Sequence, residues 1–378
     1  MDFNLTSAQQ MLVNTVRDYV SKTIEPIAMQ VESENHIPPA VLREMGELGF
    51  FGIPIAEQYG GLDAGLLGHC LVIEQLAGAN AAYANIIGAS TGLASTAINL
   101  AGSEAQKQRW LPALAGGEKL GGFALTEPHG AEMSNLGTVA EKDGDGYKLN
   151  GRKAWVSNGP VADTVVVFAR TGDGISAYVV EKGCPGYRCG EIDSRMGLHG
   201  SYSSELYFND VKLAADNLLG QAGQGSQIAT ATLDRYRIGL AAQAVGAADK
   251  LLRACIEYSK QRQQFGQPIA GFQAIQNMLA DMATEIAMAR AGVYFAAWKA
   301  DNGQPFATDA AMGRLFATEM LNRVADRAVQ IHGGMGYMKE LWIERAYRDA
   351  RMLRLAEGTN DMMRLIVANE LLRLRTKD

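Results

Sequence analysis

The apolar residues of this chain change their period twice, and few architectures accommodate that. From Ser7 to Val20, the residues Leu12, Val13, Val16, Tyr19 and Val20 recur at helical spacing behind a Thr6/Ser7 cap. Pro38-Pro39 opens a second helix over Ala40–Leu48, a long small-residue-rich run follows from Leu66 to Ala101, and Gln106–Leu114 ends the section. Near Gly121 the texture becomes that of strands: Tyr147–Leu149, Thr164–Ala169, Ser176–Val180 and Ser204–Phe208 are rich in β-formers between Gly, Asp and Pro turns. Asn150-Gly151 reads as a hairpin turn. From Leu233 the helical period returns in four long stretches, Leu233–Lys260, Phe272–Ala300, Ala307–Gln330 and Thr359–Arg375, which suggest a bundle. The pattern predicts a mainly α chain with an inserted β domain, divided at 1–120, 121–231 and 232–378.

A chain of 378 residues can bury a large core in two or three domains. Its formal charge of −6 argues against nucleic acid or an anionic membrane surface as partner. No apolar run approaches the roughly 18 residues of a membrane span. The start, Met1-Asp-Phe-Asn-Leu-Thr-Ser7, has neither the basic nor the apolar segment of a signal peptide. The expected location is the cytoplasm, or the mitochondrial matrix if a presequence has been removed. Cys70, Cys184, Cys189 and Cys255 are scattered, which suits a reducing compartment. The five histidines show no ligand spacing, so no metal site is expected.

Neither GxGxxG after a strand nor a P-loop is present, which argues against those nucleotide folds. Gly88-Ala-Ser90-Thr-Gly92 matches GxSxG, the elbow of a serine hydrolase, but lies in a helical run where close packing explains the glycines better. Gly122-Phe123-Ala-Leu125-Thr126-Glu127-Pro128 stands where helix gives way to sheet; it is either an ordinary turn or a ledge of donors. Trp155 and Ser157 share one face of a strand, as core residues or as a seat for a flat heteroaromatic ring. Arg262-Gln-Gln-Phe-Gly266 and Gln330-Ile-His-Gly-Gly-Met-Gly336 are helix connections, or grips for a diphosphate. Glu357 follows the apolar Met352, Leu353, Leu355 and Ala356 and precedes Gly358, with Thr359 as helix cap and Asp361 in the first turn. It is a solvated loop acid, or a desolvated carboxylate with the raised pKa of a base.

Taken in order, these stretches resemble the acyl-CoA dehydrogenase family over nearly the whole chain. The similarity extends to Met45-Gly-Glu-Leu-Gly-Phe-Phe-Gly52, Gly102-Ser-Glu-Ala-Gln-Lys-Gln-Arg-Trp-Leu-Pro112 and Tyr347-Arg-Asp-Ala350. The resemblance implies a helical domain, a middle β-barrel-like domain and a C-terminal four-helix domain, with FAD held between domains and across a subunit interface. By that analogy Phe123, Leu125, Thr126, Trp155 and Ser157 border the flavin. Arg262, Gln264, Phe265, Gln273, Gln330, Gly333 and Gly334 grip the diphosphate and adenosine, largely from a neighbouring subunit. Thr359 and Asp361 complete the cofactor site, and Asp234, Arg237 and Gly358 contact the substrate.

Glu357 aligns with the family's base, which removes the α-proton of an acyl thioester while the β-hydrogen leaves as hydride. One subgroup carries its base at the position of Tyr236, which cannot serve. Three departures stand out: Gly130-Ala131-Glu132 in place of Gly-Ser-Asp, with Ser134 as a substitute hydroxyl; Tyr202-Ser203 in place of Asp-Thr; and Asp361 in place of Glu or Gln. The implied activity is dehydrogenation of an acyl-CoA by a homotetramer, a dimer of dimers, that passes electrons to an electron-transfer flavoprotein. A flavin oxidase or a carrier-protein-linked dehydrogenase is the alternative on the same fold, and a Ser90 hydrolase the remote one.

Overall fold

The computed structural model describes residues 4–130 and 132–375. Met1–Phe3, part of the stretch used to judge the amino terminus, and Ala131 lie outside the described residues.

The first section is helical: α1 (Ser7–Tyr19), α2 (Glu25–Glu34), α3 (Pro39–Glu47), α4 (Gly65–Ala79), α5 (Ala81–Ile87), α6 (Thr96–Ala101) and α7 (Glu104–Ala115). Thr6 caps α1 reciprocally with Gln9, and Ser103 caps α7 with Gln106, so side chains satisfy the first donors of both helices. The single helix expected over Leu66–Ala101 is in fact broken twice. Asn80 leaves the helical region at φ −159° and its side chain accepts from Ala82 N at 2.9 Å, which starts a new helix. Gly88–Ser95 then widens into a π-helical stretch, where Ser95 and Thr96 hydroxyls donate to the carbonyls of Ser90 and Thr91.

Eight strands form one sheet: β1 (Gly121–Ala124), β2 (Val139–Asp143), β3 (Gly146–Ser157), β4 (Thr164–Thr171), β5 (Gly174–Glu181), β6 (Tyr187–Ile192), β7 (Ser203–Leu213) and β8 (Leu218–Leu219). The order is β6-β7-β3-β2-β4-β5-β8, with β1 parallel to β4. Residues 165–169 are buried on both faces, which is why that run does not alternate. Val166 and Phe168 join the helical core. Val165 and Val167 join a second core enclosed with Leu149, Leu206 and Phe208 of β3 and β7.

Asn150-Gly151 is not a turn. It lies inside β3, opposite a bulge in β7 where Asn209 and Asp210 (φ +52°) face the single residue Asn150, and Gly151 adopts φ +149° with Thr138 where a side chain would stand. The turn expected at Asp143-Gly-Asp-Gly146 is present, with the reversal at Gly144-Asp145 between the paired Asp143 and Gly146.

The last section holds α8 (Gly225–Gln261), the ribbon β9 (Gln263–Gln264) and β10 (Gln267–Pro268), α9 (Gln273–Asp301), α10 (Ala307–His332), α11 (Gly334–Tyr337), α12 (Ile343–Met352) and α13 (Asn360–Arg375). α8 begins at Gly225, eight residues before the expected Leu233, and α12 was not anticipated. α8 packs against α4 at glycines: a Cβ on Gly246 would stand 1.9 Å from the Glu74 carbonyl oxygen. Gly246→Ala is therefore expected to separate the helices at a cost of about 1–3 kcal/mol, read as a lowered urea midpoint. An unchanged midpoint would mean that this close approach is not needed.

Candidate active site

The segment after β1 and the end of β3 are joined by a buried ion pair. Glu127 and Lys153 are almost wholly buried and lie 2.8 Å apart. Glu127 also accepts from Gly137 N (2.6 Å) and Thr138 N (2.9 Å), while Lys153 Nζ donates to the Leu125 carbonyl at 3.1 Å. Burial alone would raise the Glu127 pKa; the hydrogen bonds and the lysine charge outweigh it and hold the carboxyl at about 2. Lys153 responds differently: burial dominates and pushes it down to about 8 despite its partner. Both groups are charged at neutral pH.

This pair sets the strand end. Ala154 N donates to the Thr126 carbonyl (2.9 Å), and a bulge between Lys153 and Val156 leaves Trp155 at φ +52° with its side chain 62% exposed. A core tryptophan is thus not what β3 carries. Ser157 is half-buried opposite Ser203. Phe123 and Leu125 are buried, Phe123 against Phe168 at 4.8 Å, so the surface of this ledge is backbone rather than their side chains. Asn158, fully buried at φ +61°, donates to the carbonyls of Ile86 and Gly121 and ties the ledge to α5.

Glu357 lies in the turn between α12 and α13, at φ +51° with Gly358 at φ +93°. A non-glycine residue in the left-handed region is uncommon and is held there by its surroundings. Thr359 precedes α13 and accepts weakly from Met362 N (3.4 Å); Asp361 is exposed and pairs with Arg364. Burial pushes the Glu357 pKa up, opposed by the guanidinium groups of Arg314 and Arg237. Arg237 pairs with Asp234 on the same face of α8. Tyr236, next along α8, is buried beside the acid, with its ring over Gly88 and Gly92, where an added Cβ would fall 3.1 and 2.9 Å from ring carbons. The glycines of the GxSxG match therefore make room for Tyr236. Ser90 is fully buried and its hydroxyl accepts from Gly121 N at 2.9 Å, an arrangement that offers no exposed nucleophile.

The other expected residues collect elsewhere. Arg262, Gln264 and Phe265 occupy the exposed β9–β10 ribbon, Phe265 at φ +52° and 93% exposed, and Gln273 opens α9. The end of α10 adjoins them: Tyr258 stacks on His332 at 4.3 Å, which places Gln330, Gly333 and Gly334 at the same end of the bundle. At 1.5 Å per residue, Arg262 lies about 37 Å along α8 from Arg237. Arg262 and its neighbours thus lie at the C-terminal end of α8, and Arg237 in its N-terminal half.

At the departures from the family pattern, the Ser134 hydroxyl donates to Glu132 (2.7 Å), and Tyr202 OH meets His36 Nδ1 at 2.6 Å, joining β7 to the end of α2. Arg314, Lys153 and Asn158 were not singled out from sequence. Arg314 had a visible signal, a charge within the apolar stripe of Ala310, Ala311, Ala317, Thr318 and Leu321. Among the described residues no group of metal-ligating side chains forms, and no helix is long and apolar enough to cross a membrane.

Comparison with known proteins agrees with this geometry along the whole chain. Residues 6–118, 122–211 and 223–372 match the N-terminal, middle and C-terminal domain models of acyl-CoA dehydrogenase. A probable acyl-CoA dehydrogenase, YngJ, of Bacillus subtilis is 43% identical over 99% of this chain and 100% of its own length. The structure of butyryl-CoA dehydrogenase from Megasphaera elsdenii superposes with a TM-score of 0.96 at 41% identity, covering 98% of this chain and 100% of that one. A chain from a structure described as the electron transferring flavoprotein of Acidaminococcus fermentans gives a TM-score of 0.97 at 42% identity, covering 99% and 100%. With its three domains in order and its acid set beside the helix that follows the sheet, the chain belongs to the acyl-CoA dehydrogenase family, whose members are flavoprotein oxidoreductases.

Proposed function

We propose that the protein uses FAD to introduce an α,β-double bond into an acyl-CoA, with Glu357 as the base. The observation that carries this reading is a carboxylate of raised pKa held in a left-handed turn, faced by two guanidinium groups, with only a tyrosine at the alternative base position. A thioester α-proton is too weakly acidic for a carboxylate in water. Partial desolvation of Glu357 increases its basicity, and its position on a fixed turn removes the entropy of finding the proton. Thr359 and Asp361 lie beside it, and Asp234, Arg237 and Gly358 surround the approach for the thioester and its CoA.

The residues also suit the cofactor. An indole left 62% exposed beside a strand-end hydroxyl offers a flat face and a donor to a flavin ring. Gly333 and Gly334 present open backbone, with nothing within 4 Å of an added Cβ, next to the exposed Arg262 and Gln264. FAD, when bound, supplies the hydride acceptor. Because Arg262 lies about 37 Å along α8 from Arg237, which faces the acid, a diphosphate near Glu357 is reached from a second subunit, consistent with a homotetramer. The electrons leave through an electron-transfer flavoprotein.

Anaerobic mixing of the purified holoprotein with straight, branched, aromatic and dicarboxylic acyl-CoAs tests the reading. At least one should bleach the flavin absorbance. Bleaching only by carrier-protein thioesters would replace CoA as the substrate carrier, and thioester hydrolysis without bleaching would sink the proposal.

A further inference from the structure

Among the described residues Arg314 is the largest fully buried side chain, and no carboxylate among them accepts its hydrogen bonds. Its guanidinium donates to four carbonyls of one short segment: Leu353 (3.5 Å), Ala356, Glu357 (3.3 Å) and Gly358. Its Nε has no hydrogen-bond partner among the described residues. Burying a cation among neutral acceptors is expensive, so such a group persists where its field and its geometry are used.

We propose that Arg314 is the positioning residue of the catalytic turn: its planar fork gathers the 353–358 carbonyls, fixes Glu357 in the left-handed conformation and keeps a positive charge beside its carboxylate. The inference rests on the reading of Glu357 as the base and extends it. A helix cap alone does not account for the turn, because α13 starts only at Asn360, and Asn360 is itself occupied with Thr318 and Glu319. Converging carbonyls repel one another, and a five-donor planar cation is the side chain that can satisfy several at once.

The charges around the acid have definite sources. Arg314 faces it from α10, and Arg237 and Tyr236 face it from α8, with Asp234 neutralising part of Arg237. On the turn and in α13, Arg354 and Arg364 are engaged by Glu319, and Asp361 by Arg364. Burial pushes Arg314 itself down to about 10, with Arg237 adding to the effect, so it stays charged at neutral pH. Burial raises Glu357 while Arg314 is the larger opposing influence. Taking the cation away removes that opposition, so the carboxyl must titrate at higher pH and be less ionised at neutrality.

The test compares holoprotein variants Arg314→Met and Arg314→Lys with the unaltered protein. The Glu357 carboxyl is titrated by carbon NMR of glutamate-labelled protein, its signal assigned by loss in Glu357→Gln. Arg314→Met is expected to move that titration, and the acid limb of the flavin-reduction rate, to higher pH. Arg314→Lys keeps a charge but lacks the fork, so its titration should stay near the original while the rate plateau falls on the order of a hundredfold, as for a misplaced reacting group. An unmoved titration in Arg314→Met, or a full rate in Arg314→Lys, overturns the proposal. Should Arg314→Met not fold, the Lys variant's rate plateau decides. If Glu357→Gln retains full turnover, the base reading fails separately, because the titration arm does not depend on turnover.

Discussion

Replacing Glu357 by Gln should leave flavin content and acyl-CoA binding intact and slow flavin reduction by about 10²–10⁴-fold, the usual contribution of a positioned base. The amide is nearly isosteric, so the turn and its Arg314 contacts to backbone carbonyls persist. The pH dependence follows from the raised pKa of Glu357. Only the ionised carboxylate accepts a proton, so the rate in the unaltered enzyme falls as pH drops through that pKa, and the limb lies above the ordinary carboxylate range. Glu357→Gln should lose this limb together with the rate. Rapid-reaction measurement of bleaching checks both, and a variant that still bleaches at the original rate would place the base elsewhere.

Lys153→Met is expected to destabilise the protein by about 3–5 kcal/mol, the cost of leaving one partner of a buried pair alone. Glu127 would keep its two backbone donors but lose the cation that, together with them, outweighs its burial. Because the folded-state pKa of Glu127 is depressed to about 2, its contribution is complete above the usual carboxylate range and disappears as pH falls toward 2. The loss in Lys153→Met should therefore be large at neutral pH and shrink in acid. Replacing both partners, as Glu127→Leu with Lys153→Met, should cost less than the two single changes summed, because no lone charge remains. Urea unfolding of the four proteins measures this cycle; additive losses would deny the coupling. The pair also holds Leu125 and, through Ala154, the Thr126 turn, so weaker flavin retention should accompany the loss.

Much of the fold was legible because hydrophobic period is a local property. The switch near Gly121, the capped start of α1 and the four long helices follow from it. The errors arose where a local signal has two structural uses. Asn150-Gly151 supplies a freedom that a hairpin turn and a strand position crowded by Thr138 both need, and pairing with β7 kept it inside β3, opposite the bulge. Asn80 broke a run whose composition was helical throughout, because its side chain competes for the Ala82 amide.

The acid at Glu357 returns in the same terms. By itself the sequence determined an ionisable residue between an apolar run and a helix cap, in an order of motifs that resembles one enzyme family. It also determined that Tyr236 cannot act as a base. Tertiary structure alone decided that Arg314, 43 residues away, gathers the carbonyls of that turn, that Tyr236 rests on Gly88 and Gly92, and that the Arg262 ribbon lies at the far end of α8. The physical reason is range. Propensity and capping act over a few residues, whereas desolvation and the field at a carboxylate are sums over whatever packing brings near.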